Sequence, residues 1–209
     1  MCIGNHDFQV PFDAVRPGRG LTTSRTMRLG AWLFLFADSN FGGRSLGDDG
    51  RLHDRHDRIE SPPQLGDHEV AWIDETIAST DADHVFLWVH HPPRSRADTN
   101  PYESEVRGLF QRHESLRGMG VGHTHTDKVL DIEGRQAYTC PAFTINLDLP
   151  NETVLPPGYR TYEFGDDGSV SSESHLLDDP RWPRRRLEPP VSAWLRGEMS
   201  YDDMQVAMA

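Results

Sequence analysis

The sequence predicts an α/β domain with an added antiparallel portion, and three observations predict it. Apolar residues recur at helical spacing in two stretches. Short continuous apolar runs accompany them, as strands buried on both faces do. Beyond residue 125 the texture changes to short strand-like segments separated by turn signals. With 209 residues the chain fits one domain, long enough to bury a core.

The elements follow in order. Val10 to Gly20 is rich in Pro, Gly and Arg and reads as loop. Met27 to Asp38 is apolar and aromatic and is expected to contain a central strand ending at Asp38. Asn40 to Pro63 is rich in Gly, Asp, Arg and His with little periodicity, which predicts a long loop. Val70, Ile73 and Ile77 give one apolar face to a helix over Asp67 to Ser79. His84 to Val89 is a short buried strand. A second helix is expected from Ser104 to Arg117 on Val106, Leu109, Phe110 and Leu116, with Gly118 as its stop. A brief strand, Met119 to Val121, comes next. Val129–Ile132, Gln136–Thr139, Arg160–Phe164 and Val170–Leu177 are strand candidates, punctuated by Glu133-Gly134 and Asp166-Asp167-Gly168. Domain boundaries are set at 1–177, with 178–209 a Pro/Arg-rich tail holding a short helix over Trp194 to Met204.

Composition excludes several classes. The net charge is −12, which argues against a general grip on nucleic acid. Arg184-Arg185-Arg186 is a short solvated run rather than a polyanion site. The longest apolar run, Ala31 to Ala37, is far short of a membrane span, so no membrane partner is expected. Cys2 and Cys140 form no Cys-x-x-Cys pair, so a reduced compartment is read. No basic segment followed by an apolar stretch opens the chain, which makes cytoplasm the expectation.

Three short strings carry the chemistry: Gly4-Asn5-His6-Asp7, His90-His91-Pro92-Pro93 and Gly122-His123-Thr124-His125. His90 follows one predicted strand directly and His123 follows another, and open α/β sheets place ligands at such strand ends. Imidazole nitrogen with amide oxygen suits Zn, Mn, Fe or Co better than Ca or Mg. Gly122 permits close backbone approach, and the prolines after His91 stiffen that loop.

In this order the strings resemble the second half of the motif set of calcineurin-like metallophosphoesterases, hydrolases of phosphate esters with two metal ions. Cys140-Pro141-Ala142-Phe143 and Pro157-Gly158-Tyr159-Arg160 resemble the tail of the class III cyclic-nucleotide phosphodiesterase subgroup. The resemblance implies a four-layer α/β/β/α sandwich. It implies that Asn5, His90 and His123 bind one metal and His125 its neighbour. His6 would contact the phosphoryl group and protonate the leaving oxygen, oriented by Asp7, while Asp38 would be structural. The family's Asp-x-His pair and Gly-Asp motif find no counterpart before Gly4. The expectation is therefore an N-terminally truncated fold, two divalent ions (Mn, Fe, Zn or Co) in the complete site, and at most one weakly held by this chain alone. The substrate class implied is a small phosphate ester, with cyclic nucleotides first. A complementing chain would supply the missing strands, and an unpaired sheet edge at the truncation would favour a homodimer. The competing reading is a non-catalytic remnant acting as a binding or regulatory module.

Overall fold

The computed structural model of the chain describes residues 25–39, 44–46, 52–54, 64–93 and 101–208. Its centre is a six-stranded sheet in the order β1-β2-β5-β6-β8-β7. The parallel strands are β2 (Trp32–Phe36), β5 (His84–Trp88), β6 (Leu116–Val121) and β8 (Arg135–Thr139). Antiparallel strands β1 (Thr26–Leu29) and β7 (Val129–Ile132) close the two edges. Helices α1 (Gly66–Ser79) and α2 (Pro101–Arg112) lie in the connections from β2 to β5 and from β5 to β6. The predicted α/β class with an antiparallel addition holds.

Alternation along the strands assigns the two faces, because successive side chains point to opposite sides. Leu33, Leu35, Val85, Leu87, Met119, Val121 and Ala137 face the helices. They meet Ile73 and Ile77 of α1 and Tyr102, Val106, Leu109 and Phe110 of α2. The helical spacing that predicted α1 and α2 is the spacing that buries these residues. On the opposite face Trp32, Phe34, Phe86 and Tyr138 form an aromatic cluster. It is covered by the hairpin of β11 (Gly158–Phe164) and β12 (Val170–Leu176), through Tyr162, Phe164 and Val170. The described residues thus stack as helices, sheet and second sheet.

Two glycines make the aromatic face possible. A Cβ at Gly120 would overlap the Trp88 ring, and one at Gly118 would lie 3.2 Å from Phe86. In the string Leu116-Arg117-Gly118-Met119-Gly120-Val121, Met119 and Val121 face the helices while Gly118 and Gly120 leave room for the Phe86 and Trp88 rings, and Arg117 lies beside His84 at the edge of that face. Within this cluster the Tyr162 hydroxyl is buried and finds no hydrogen-bond partner among the described residues. A buried hydroxyl without a partner costs on the order of 1–3 kcal/mol. Replacing Tyr162 with Phe is expected to raise stability by about 1 kcal/mol, read as a higher urea midpoint at unchanged slope. A lower midpoint would show that the hydroxyl has a partner.

Several boundaries differ from the expectation. Met27 to Asp38 contains the expected central strand as β2, which ends at Phe36, and β1 precedes it in a hairpin that turns at Gly30 with φ +56°. The apolar run Ala31 to Ala37 begins just after this turn, which Gly30 marks in the sequence. The second helix ends at Arg112 rather than Arg117. Leu116 begins β6, and the Leu116 N–H bonds to the His113 carbonyl in an intervening turn. Leu109 and Leu116 are seven residues apart, so the period continues across a real boundary. The expected loop over 40–63 contains a short pair, β3 (Arg44–Leu46) and β4 (Leu52–Asp54). Glu133 and Gly134 form a two-residue turn, both at positive φ, as the sequence signal required.

Three further short strands, β9 (Asn146–Asp148), β10 (Thr153–Leu155) and β13 (Arg185–Arg186), make a separate sheet. They are too short to show a period. The single helix expected over Trp194 to Met204 is two, α3 (Pro189–Leu195) and α4 (Tyr201–Met208), with Gly197 at φ +77° between them. Leu187 and Met204 are buried, and β13 pairs with β10, so the segment after 178 is tied to the preceding residues.

Candidate metal centre

Two carboxylates shape the chain ends that lead to the site. Glu69 of α1 is buried, ion-paired with Arg25, and accepts the Asp38 N–H at 2.8 Å, just past the end of β2. Arg25 lies over the Trp72 ring at 3.5 Å. Glu105 of α2 accepts the N–H groups of Leu65 and Gly66 at 2.8 and 3.1 Å. That supplies acceptors at the start of α1, where Leu65 offers no side-chain cap. The Glu69 contact holds the residue before Ser39, and the Gln64 N–H, just ahead of α1, donates to the Ser39 carbonyl at 3.2 Å.

Ser39 is completely buried and touches the second string. Its Oγ accepts the His91 N–H at 3.1 Å and lies 2.8 Å from His91 Nδ1. Tyr102 of α2, also fully buried, donates its hydroxyl to the His91 carbonyl at 2.8 Å. The backbone and ring of His91 are thus fixed from two elements. With Nδ1 engaged by Ser39, Nε2 is the nitrogen left for a ligand. Burial, followed by the neighbouring His123 and His90, lowers the His91 pKa to about 3. The ring is therefore neutral at neutral pH, the form that binds metal.

His90 and His123 meet across the parallel strands β5 and β6. The Val89 N–H bonds to the Gly120 carbonyl at 3.1 Å and the Gly122 N–H to the His90 carbonyl at 2.8 Å, so the β5–β6 pairing continues past the strand ends. That brings His90 Nε2 to 3.3 Å from His123 Nδ1. Two imidazole nitrogens bound tetrahedrally to one ion at about 2.1 Å would lie about 3.4 Å apart. Gly122 lies beside the His90 ring, where a Cβ would be in ordinary contact 3.6 Å from Nδ1. One nitrogen each from His90, His91 and His123 lies within 4.8 Å of the others. The donor set and the separation fit a divalent transition ion.

His123 and His125 both adopt left-handed backbone, φ 66° and 52°. For residues with a Cβ this conformation costs on the order of 1–2 kcal/mol each. Hydrogen bonds on both sides hold it. The Thr124 N–H donates to the Gly122 carbonyl at 2.7 Å, and the Leu147 N–H, in the middle of β9, donates to the His125 carbonyl at 2.6 Å. His125 is half-buried and stands outside the three-nitrogen cluster.

Of the residues expected at the site, His90 and His123 are brought together. Asn5, His6 and Asp7 lie outside the described residues. His91, Ser39 and Tyr102 were not among the expected site residues. Only the doubled histidine before Pro92 could have signalled His91; nothing in the sequence marks Ser39 or Tyr102, which are brought in by folding.

Parallel strands that end in clustered histidines define an α/β protein with a cluster at its strand ends that could hold a metal ion. No family model matches the chain. The chain is similar to 3′,5′-cyclic adenosine monophosphate phosphodiesterase CpdA of Escherichia coli (strain K12), 25% identical over 190 residues, covering 86% of this chain and 63% of that protein. It is also similar to a Synechococcus protein named probable cyclic nucleotide phosphodiesterase, 29% identical over 124 residues, covering 55% of this chain and 46% of the relative. Among solved structures, sulfate thiohydrolase SoxB of Thermus thermophilus aligns over 86% of this chain and 29% of its own, at 15% identity and a TM-score of 0.39, too loosely to bear on the argument. The chain spans less than two thirds of the curated relatives it matches. With its ordered strings and these relatives, it is related to the calcineurin-like metallophosphoesterases.

Proposed function

We propose that the protein takes part in metal-dependent hydrolysis of small phosphate diesters, with cyclic nucleotides the first candidates. The observation that carries this is the His90–His123 pair, two imidazole nitrogens 3.3 Å apart at adjacent parallel strand ends. The relatives named as cyclic-nucleotide phosphodiesterases support it.

His90 and His123 hold one ion with Asn5, and His125 serves its neighbour. His91 lies close enough to add a third nitrogen to the His90–His123 pair. Bound metal of this kind neutralises phosphoryl charge and lowers the pKa of water. His6 contacts the phosphoryl group and gives a proton to the leaving oxygen, with Asp7 orienting its ring. Ser39 and Tyr102 keep His91 in one orientation. Residues 1–177 form the catalytic domain and 178–209 an appended tail. No helix among the described residues is long and apolar enough to cross a membrane, and the composition supports a cytoplasmic setting.

The test is turnover of cyclic AMP and of bis(p-nitrophenyl) phosphate by the full chain, stripped of metal and then given Mn²⁺. Mn²⁺-dependent turnover that His123→Ala removes is the expected result. Metal binding without turnover of either ester would overturn the enzymatic reading in favour of a binding or regulatory module.

A further inference from the structure

The His123–His125 segment carries two left-handed residues, and something must hold its outgoing arm in place. That arm is Thr126-Asp127-Lys128. Thr126 is buried, and the Thr139 hydroxyl oxygen lies 2.7 Å from its carbonyl. The same oxygen accepts the Lys128 N–H at 2.6 Å. Between these two anchors sits Asp127, 42% exposed as a side chain, and it is gripped from the other sheet.

Arg160 of β11 supplies the grip. Its side chain is only 4% exposed, and its guanidinium reaches Asp127 Oδ1 in a short ion pair. The same guanidinium donates to the Thr139 carbonyl at 3.0 Å and to Ser172 Oγ at 2.8 Å. Ser174 of β12 donates its hydroxyl to the same Asp127 oxygen at 2.8 Å. Arg160 thus spans three separate pieces of chain: the arm after His125, the end of β8 and the strand β12. A planar fork with several fixed donors can do this, whereas an ammonium cannot match all three directions. No other carboxylate pairs with Arg160 among the described residues.

We propose that Arg160 is a positioning residue for the His123–His125 loop, acting through Asp127. The second sheet is then not only a cover for the aromatic face. It also sets the geometry in which His123, on that loop, meets His90. This rests on the metal reading above, and the experiment separates the two.

Hydrogen–deuterium exchange is measured first, on the full chain without metal, for wild type, Arg160→Gln and Arg160→Lys. Both variants are expected to exchange at least tenfold faster over residues 122–128, with little change in β5 and β6. Asp127→Asn, at a partly exposed position that should tolerate the change, is expected to behave in the same way. Phe164→Leu, on the same strand but away from Asp127, should lower the melting temperature and leave the loop's protection as in wild type. Co²⁺ affinity is then titrated, and the Arg160 and Asp127 variants should bind at least tenfold more weakly while Phe164→Leu binds as wild type does. Unchanged loop exchange in both Arg160→Gln and Asp127→Asn overturns the proposal, as does equal loosening by Phe164→Leu. If wild type binds no Co²⁺ yet the loop loosens selectively, the positioning role stands and the metal reading fails.

Discussion

Replacing Phe86 with Ala is expected to remove about 3–5 kcal/mol of stability, the range for a fully buried aromatic in a core that cannot collapse around the gap. Phe86 has no exposed surface and lies at the centre of the inter-sheet layer. Its ring is 5.1 Å from Trp88, 5.0 Å from Phe164, 5.9 Å from Tyr162 and 6.3 Å from Tyr138, centroid to centroid. Those neighbours come from β5, β8 and the β11–β12 hairpin, so the lost contacts are lost to three elements at once. Relaxation is also blocked from the sheet side, where Gly118 and Gly120 offer backbone and no side chain to swing inward. Set against the 5–15 kcal/mol typical of a domain, about 3–5 is a large fraction. The measurement is urea unfolding of the full chain. A loss under about 1 kcal/mol would mean that the hairpin does not pack on the sheet as described.

That layer also shows what could be read from residue order. Trp32 and Trp88 are recognisable as core because each sits in a short apolar run, and both pack in or against the aromatic cluster. The two helices are legible from one face apiece, because a residue every three or four positions is the direct imprint of burial on one side. The turn signals Glu133-Gly134 and Asp166-Asp167-Gly168 hold for the same local reason, and Gly168, at φ +84°, also fits closely against His84 and Arg117. What escapes is whatever depends on partners distant in sequence. Ser39 meets His91 across 52 residues, Asp127 meets Arg160 across 33, and Glu105 reaches the start of α1 across 40. None of these pairings leaves a period, and although Arg160 stands in the Pro157–Arg160 string, nothing in that string points to Asp127. At the site, the strand-end histidines could be named in advance. The residues that aim and hold them could not, because an orienting serine or arginine has the same signature as any polar surface residue until the layers close.

His123→Ala and His90→Ala should each weaken Co²⁺ or Mn²⁺ binding by about 100-fold or more, since loss of an orienting group alone typically costs about 10–100-fold in metal sites. The two residues are equivalent in this respect, each giving one of the paired nitrogens 3.3 Å apart. Ser39→Ala, which removes the partner of His91 Nδ1, should weaken binding by about 10–100-fold if His91 ligates and leave affinity unchanged if it does not. Neither histidine ring belongs to the two core clusters, so their truncation should leave the unfolding midpoint near that of wild type. Affinity and stability are thereby separable in a single pair of experiments, calorimetric titration and urea unfolding. Wild-type affinity in both His90→Ala and His123→Ala would remove the metal from this end of the sheet, and the phosphodiesterase reading with it. A loss in those two but not in Ser39→Ala would define a pair of nitrogens that needs Asn5 to complete its ligand set, with His91 serving only to pack beneath them.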